Sequence, residues 1–127
     1  MEKMTNSINW FEIPVLNFDR AKEFYSRIYD FEMTESTMAS VRMGFFPMDT
    51  GSQGVGGAIV QGNGYLPTSL GIKVYLNGGK DLLSVLNRVN AAGGDIIVPK
   101  TKISDKIGYF AVFEDTEGNH ISLHSME

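Results

Sequence analysis

Apolar and polar positions in the first half of the chain follow first a strand-like and then a helix-like spacing. Residues 8 to 15 (INWFEIPV) are rich in β-branched and aromatic residues and predict a strand. Asn17 is a suitable N-cap for a helix from about 19 to 29. The apolar positions of that segment recur every three or four residues, at Ala21, Phe24, Tyr25 and Ile28. Turn-rich stretches separate three further predicted strands at 31–36, 40–47 and 55–61.

The second half repeats this order after a connector at 61–69. Residues 70–76 predict a strand, and residues 80–92 predict a helix with one apolar face that stops at Gly93-Gly94. The remaining strands are predicted at 95–99, 109–114 and 120–124. Strand, helix and three strands therefore occur twice, with a period of about sixty residues, which indicates an internal duplication.

The duplication predicts an α+β fold made of two βαβββ modules. Each module alone would leave one sheet face uncovered, whereas two modules packed together bury their helix-facing sides. What remains is a curved, partly closed mixed sheet around a concavity. We expect a single domain over 1–127, with one module at 1–62 and the other at 68–127.

Composition narrows the possible partners. The net charge is −4 and no basic run is present, which argues against nucleic acid. The chain has no cysteine, so thiolate metal sites and cysteine nucleophiles are impossible. No apolar stretch suits a signal peptide or a membrane span, so a cytoplasmic protein without a membrane partner is expected.

Two segments resemble the glyoxalase/bleomycin-resistance/extradiol-dioxygenase group, the vicinal oxygen chelate superfamily. INWFEIPVLNFDRAKEFYSRIYDFEM is similar to the opening of that family, and GYFAVFEDTEGNHISLHS is similar to its closing hairpin. The resemblance covers nearly the whole chain and implies the glyoxalase-like fold. It also implies a homodimer, in which modules are sometimes exchanged between chains.

Enzymes of this family bind a divalent metal through side chains of the first and last strand of each module. Carried over by position, the two opening ligands fall on Trp10 and Gly71, and the closing ligand of the second module falls on Ser122. The remaining ligand falls near Gly57 or Ala58. Apart from the weak hydroxyl of Ser122, none of these is a standard ligand. The resemblance therefore implies that the family metal and any other cofactor are absent.

The two histidines, His120 and His124, do not restore a metal site. On the predicted strand they lie roughly 13 Å apart at ~3.3 Å per residue. A metal needs both nitrogens within ~2.1 Å. His124 remains a candidate to line the cavity as an acid, a base or a hydrogen-bond donor, and the alternative is that both histidines are merely hydrogen-bonded or solvated at strand ends.

Side-chain alternation selects the residues that face the concavity. If Trp10 points inward, then Glu12 shares its face, while Lys73 and Tyr75 occupy the matching positions of the second module. Glu12 and Lys73 would form either a proton-shuttling pair or a structural salt bridge. Trp10 and Tyr75 would supply flat walls for a planar ligand, although Trp10 could equally fill the core.

The hypothesis from the sequence and the resemblance is a bleomycin-resistance-like protein that binds a small apolar or aromatic molecule in the sheet concavity without a metal. Its expected ligand-binding residues are Trp10, Glu12, Lys73, Tyr75, Ser122 and His124. The alternative is a glyoxalase-like lyase or isomerase with Glu12 as general base. A third interpretation is a protein-interaction module without a ligand, so whether the chain is an enzyme stays open.

Overall fold

The chain folds into two four-stranded mixed sheets with few helices, which confirms the predicted α+β class. A computed structural model describes residues 3–49, 51 and 53–127. The first sheet and its helix comprise β1 (Trp10–Pro14), α1 (Phe18–Tyr29), β2 (Thr34–Met38), β3 (Val41–Phe45) and β4 (Gly56–Gln61). The second comprises β5 (Tyr75–Asn77), α2 (Leu83–Leu86), α3 (Val89–Ala92), β6 (Asp95–Ser104), β7 (Gly108–Glu114) and β8 (His120–Ser125).

Both sheets have the same strand order. The first runs β1-β4-β3-β2 and the second runs β5-β8-β7-β6. In each sheet the opening strand pairs in parallel with the closing strand, and the other neighbours are antiparallel. The repeated pattern in the sequence therefore corresponds to a repeated topology.

Helix α1 forms where the sequence predicts it. The Asn17 side chain accepts a hydrogen bond from the backbone N–H of Arg20 at 3.1 Å, which satisfies one of the free donors of the first turn. The helix ends at Asp30, whose φ of 50° is left-handed. All four residues of the predicted apolar face are buried.

Three predicted boundaries in the second half are wrong. Strand 70–76 is reduced to Tyr75–Asn77, because the pairing with β8 does not extend as far as Ile72, which is 95% exposed, although the carbonyl of Val74 still accepts from the backbone N–H of Ser122 at 3.0 Å. Helix 80–92 is two short helices, since the backbone N–H of Arg88 bonds to Val85 at i→i+3 and tightens the chain there. Strand β6 continues through Pro99 because it is an edge strand with bulges, where proline is tolerated.

Helix α1 packs between the two sheets. The ring of Tyr25 lies 5.1 Å from Phe46, which follows β3, and 6.4 Å from Phe113 of β7. The ring of Phe24 lies 5.8 Å from Phe113. One core therefore includes the helix-facing side of both sheets. The opposite side of each sheet, called its outer face below, points away from that core.

The turn between β7 and β8 fastens the second sheet to the start of α1 through a buried carboxylate. One oxygen of Glu117 accepts from the backbone N–H groups of Leu16 at 2.9 Å and Asn17 at 2.7 Å. The other oxygen pairs with Nε of Arg20 at 2.7 Å. A negative charge at a helix N-terminus is favourable because it complements the free N–H groups and the helix dipole.

A second carboxylate of the same turn reaches the middle of α1. Asp115 accepts a hydrogen bond from the hydroxyl of Tyr25 at 2.7 Å and one from the side-chain amide of Asn119 at 3.0 Å. The amide of Asn119 also donates to the carbonyl of Pro14 at 2.7 Å. This turn therefore locks the two halves in one relative position. Among the described residues no helix is long and apolar enough to cross a membrane.

Candidate ligand-binding site

The outer face of the first sheet carries Trp10 and Glu12, in the alternation that the sequence predicts. Phe11 and Ile13, between and beside them, face the core. Trp10 is 42% exposed, so it does not fill the core. Its indole N–H donates to one oxygen of Glu12 at 3.3 Å, and the hydroxyl of Tyr65 donates to the other at 3.1 Å.

The surface beneath this hydrogen-bonded group is apolar. The ring of Phe45 lies 6.2 Å from that of Trp10 at an angle of 60°. A small buried cluster on the same face consists of Met43, Ala58 and Val60. A cavity of about 480 Å³ opens beside it, and Trp10, Phe45 and Met48 lie in its wall. Volumes of this order suit small organic ligands.

The three polar groups have defined roles in this arrangement. Each oxygen of Glu12 accepts one of these hydrogen bonds and retains acceptor capacity for a further partner. The hydrogen bond to Glu12 raises the pKa of Tyr65, which keeps the phenol protonated. Glu12 is therefore presented as an acceptor, flanked by two aromatic donors, next to an apolar surface. Tyr65 lies in the connector between the modules, and no sequence pattern marks it as a site residue.

The outer face of the second sheet carries Tyr75, Ser122 and His124. Tyr75 lies beside Ser122 in the parallel register of β5 and β8, and Ser122 is buried. A ring nitrogen of His124 donates to the carbonyl of Ile107 at 2.6 Å. Tyr75 and His124 both line a cavity of about 680 Å³. They form a second candidate half-site with different chemistry from the first.

The predicted pair of Glu12 and Lys73 is not formed within the chain. Glu12 is bonded to Trp10 and Tyr65, whereas the ammonium of Lys73 lies 3.4 Å from the carbonyl oxygen of Ser69. The physical reason is that Lys73 lies before β5, outside the strands, and lines a cavity that Glu12 does not line. Of the six predicted ligand-binding residues, five are therefore distributed over the two outer faces, and Lys73 lines another cavity.

The two histidines have separate partners. His120 pairs with Glu114 at 3.0 Å, while His124 contacts a backbone carbonyl, and both lie on β8. Nothing in this geometry brings their rings to one ion.

The positions that correspond to the metal ligands of the glyoxalase-like family hold no suitable ligands in this chain. Trp10 and Ser122 lie on outer faces, and Ala58 rather than Gly57 shares the face of Trp10, because a Cβ on Gly57 would meet the core ring of Phe11 at 2.3 Å. Gly71 lies outside every strand. Within the part of the chain that the structure describes, no group of three or more histidine, aspartate or glutamate residues is placed to hold a metal ion. The residues present therefore do not fit the family metal.

Solved structures with the same fold cover almost all of the chain. A glyoxalase/bleomycin resistance protein from Streptomyces sp. CB03234 is 22% identical over 94% of this chain and 100% of its own, with a TM-score of 0.69. TnmS3, an antibiotic binding protein from the same organism, is 22% identical over 97% and 98%, with a TM-score of 0.64. A glyoxalase I mutant from Zea mays is 13% identical over 93% of this chain and 45% of its own, with a TM-score of 0.68.

These likenesses, at low identity, establish the glyoxalase-like fold. No curated protein matches the sequence. The family model described as the Glyoxalase/Bleomycin resistance protein/Dioxygenase superfamily matches residues 7–123. Because that match covers nearly the whole sequence, the chain belongs to this superfamily.

Proposed function

We propose that the protein binds a small apolar or aromatic molecule at the outer faces of its sheets without the metal of its family. The observation that carries this proposal is the exposed indole of Trp10, held with Tyr65 on the carboxylate of Glu12 above an apolar surface. An aromatic wall with a few convergent polar groups is typical of small-molecule sites. The fold neighbour described as an antibiotic binding protein supports the same class of function.

A homodimer is part of this proposal. The connector and the segment after it expose Leu66, Leu70 and Ile72 at 73%, 76% and 95%. Three exposed aliphatic side chains within seven positions favour a protein contact. We propose that a second copy binds there and brings the outer face of its second sheet opposite Trp10 and Glu12. A ligand would then be enclosed between copies.

Intrinsic fluorescence tests the binding proposal directly, because Trp10 is the single tryptophan of the chain. Titration with the neutral aromatic probe N-phenyl-1-naphthylamine should quench Trp10 by energy transfer. Phe45→Ala should weaken binding about tenfold, the effect of losing roughly 1.5 kcal/mol of aromatic contact. Leu16→Ala is the matched control, since it removes an exposed side chain elsewhere. Equal affinities for the two variants would contradict the site.

The second candidate function is a glyoxalase-like lyase or isomerase, which the exposed carboxylate of Glu12 favours. A general base must reach its proton directly, and Glu12 is solvent-accessible beside two donors. Glu12→Gln should then abolish turnover of a glyoxalase-type hemithioacetal and leave affinity for the aromatic probe within about twofold, since the side chain keeps its size. Turnover that survives the substitution rules out Glu12 as the base.

A further inference from the structure

A cavity of about 710 Å³ lies between the start of β1, the end of α1 and the segment that leads into α2, and Tyr75 is also in its wall. Phe11 and Phe46, which pack against each other at 5.4 Å, form one wall. Leu76 and Val85, both members of the shared core, form another. The interior of this cavity is therefore largely apolar.

The charged residues that line this cavity are all cations. They are Lys73, Lys80 and Arg88, and no aspartate or glutamate is among the described residues that line it. The whole chain has 15 acidic and 11 basic residues, so an all-cationic lining is opposite to the overall charge. Such a lining attracts anions, because charges of one sign beside low-dielectric walls focus the local field.

Among the described residues, two of these cations have no carboxylate partner. The ammonium of Lys73 lies 3.4 Å from the carbonyl of Ser69, and the guanidinium of Arg88 donates to the carbonyl of Ile28 at 3.0 Å. Lys80 lies 3.8 Å from Glu127 in an exposed pair, which water screens. Lys73 and Arg88 therefore keep donors for an acidic group. The hydroxyl of Ser84 on α2 adds a neutral donor to the lining.

We propose that this cavity binds an amphipathic organic anion, with an apolar chain or ring in the cavity and a carboxylate or similar acid group at Lys73 and Arg88. Apolar burial supplies most of the affinity, and the two cations select for the acid over its neutral derivative. Neither Trp10, Glu12 nor Tyr65 lines this cavity. Phe46, Pro47 and Gly56 border both this cavity and the one beside Trp10, so the two sites are neighbours that differ in their polar groups.

The test compares a fluorescent fatty acid, 11-(dansylamino)undecanoate, with its methyl ester on the full-length protein. The acid should bind about tenfold more tightly than the ester, because only the acid forms charge-assisted hydrogen bonds. Lys73→Gln should weaken binding of the acid about fivefold and change the affinity for the ester by no more than about twofold. Adding Arg88→Gln should remove most of the remaining preference. The matched control Lys106→Gln removes the same charge outside the cavity and should leave both affinities within about twofold.

Two further experiments test the proposal, one with a cavity-filling variant and one by ligand displacement. Ser84→Phe fills part of the cavity from α2, so it should weaken acid and ester alike, with the far-ultraviolet circular dichroism unchanged. The acid should not displace N-phenyl-1-naphthylamine from the site at Trp10, so each site can fail without the other. Equal binding of acid and ester, an equal effect of Lys106→Gln, or absence of binding because a second copy fills the cavity would each overturn the inference.

Discussion

The hydroxyl of Tyr25 is the sharpest single probe of how the two halves are held together. Tyr25 is 0% exposed on α1, and its hydroxyl donates to the carboxylate of Asp115 at 2.7 Å. Burial and the neighbouring carboxylate raise the pKa of this phenol well above its ordinary value, so it stays a donor throughout the usable pH range. Tyr25→Phe removes this one bond and keeps the ring that packs against Phe46 and Phe113.

The expected cost follows from the charge of the acceptor. After the substitution, Asp115 keeps bonds from the backbone N–H groups of Glu117 at 2.8 Å and Asn119 at 2.9 Å and from the Asn119 amide at 3.0 Å. The carboxylate therefore loses one of its four hydrogen-bond donors and keeps three. A hydrogen bond to a charged group contributes about 1.5–3 kcal/mol, so unfolding should become easier by about 2 kcal/mol.

Tyr29→Phe is the matched control, one turn along the same helix. Its hydroxyl donates to the neutral carbonyl of Asn77 at 2.9 Å, and its ring also packs on Phe46, at 6.3 Å. The cost should be about 1 kcal/mol, because the acceptor carries no charge. Urea unfolding followed by circular dichroism, at one fixed protein concentration, measures both variants. If Tyr25→Phe costs no more than Tyr29→Phe, the charged acceptor does not strengthen the bond and the reasoning fails.

Two other predictions concern the same turn and its surroundings. Burial raises the pKa of Glu117, but the bonds from Arg20 and the helix N–H groups outweigh it and lower that pKa. Its stabilisation is therefore present above the unfolded pKa of about 4.3 and is lost as pH falls below it. Glu117→Gln should reduce the drop in urea stability between about pH 6 and pH 3, and an undiminished drop would contradict this assignment. Gly94→Ala should cost about 2 kcal/mol by thermal unfolding, because the new Cβ would lie 2.6 Å from the backbone oxygen of Glu114 and 2.8 Å from the ring of Phe24. Gly51→Ala, whose Cβ would meet Asp49 only at 3.4 Å, is the control and should be nearly neutral.

The pKa of Asp115 is shifted in the opposite direction to that of Glu117, so the two carboxylates affect stability at low pH in opposite ways. Burial raises it above its ordinary value, against the hydrogen bonds from Tyr25 and Asn119. A raised pKa means that the folded state binds the proton more readily, so the contribution of Asp115 is complete at low pH and is lost as pH rises through the folded value. The acid limb of the wild-type protein is therefore a sum of opposing contributions, of which Glu117→Gln removes one.

Local signals in the sequence correctly predicted the elements that depend mainly on interactions between residues close in sequence. The N-cap at Asn17 and the apolar spacing of α1 both lie within one segment, and the structure contains the predicted cap and the predicted buried face. The alternation along β1 likewise placed Trp10 and Glu12 on one face and Phe11 on the other, because the pleat has a period of two residues. The topology followed from the repeat of this pattern.

The parts that the sequence did not predict depend on contacts between distant segments. Tyr65 reaches Glu12 across 53 positions, and no motif in the connector records that contact. Residues 70–73 are strand-like in composition but lie outside every strand of the described chain, so composition alone misled the prediction. The cationic cavity joins Lys73 to Arg88 and Phe11 through the tertiary fold, and each of them has an unremarkable sequence context.

The position of α1 determines which candidate site residues a single ligand can contact. Because Tyr25 touches Phe46 on one side and Phe113 on the other, a helix layer lies between the two sheets. Trp10 and Tyr75 occupy outer faces that point away from this layer, so one chain offers two half-sites. We expect a small molecule that contacts both to be enclosed by two copies, in which case its apparent affinity rises with protein concentration. A molecule bound by the Trp10 face alone would show no such dependence, so titrations at two protein concentrations decide between a shared and a single-face site.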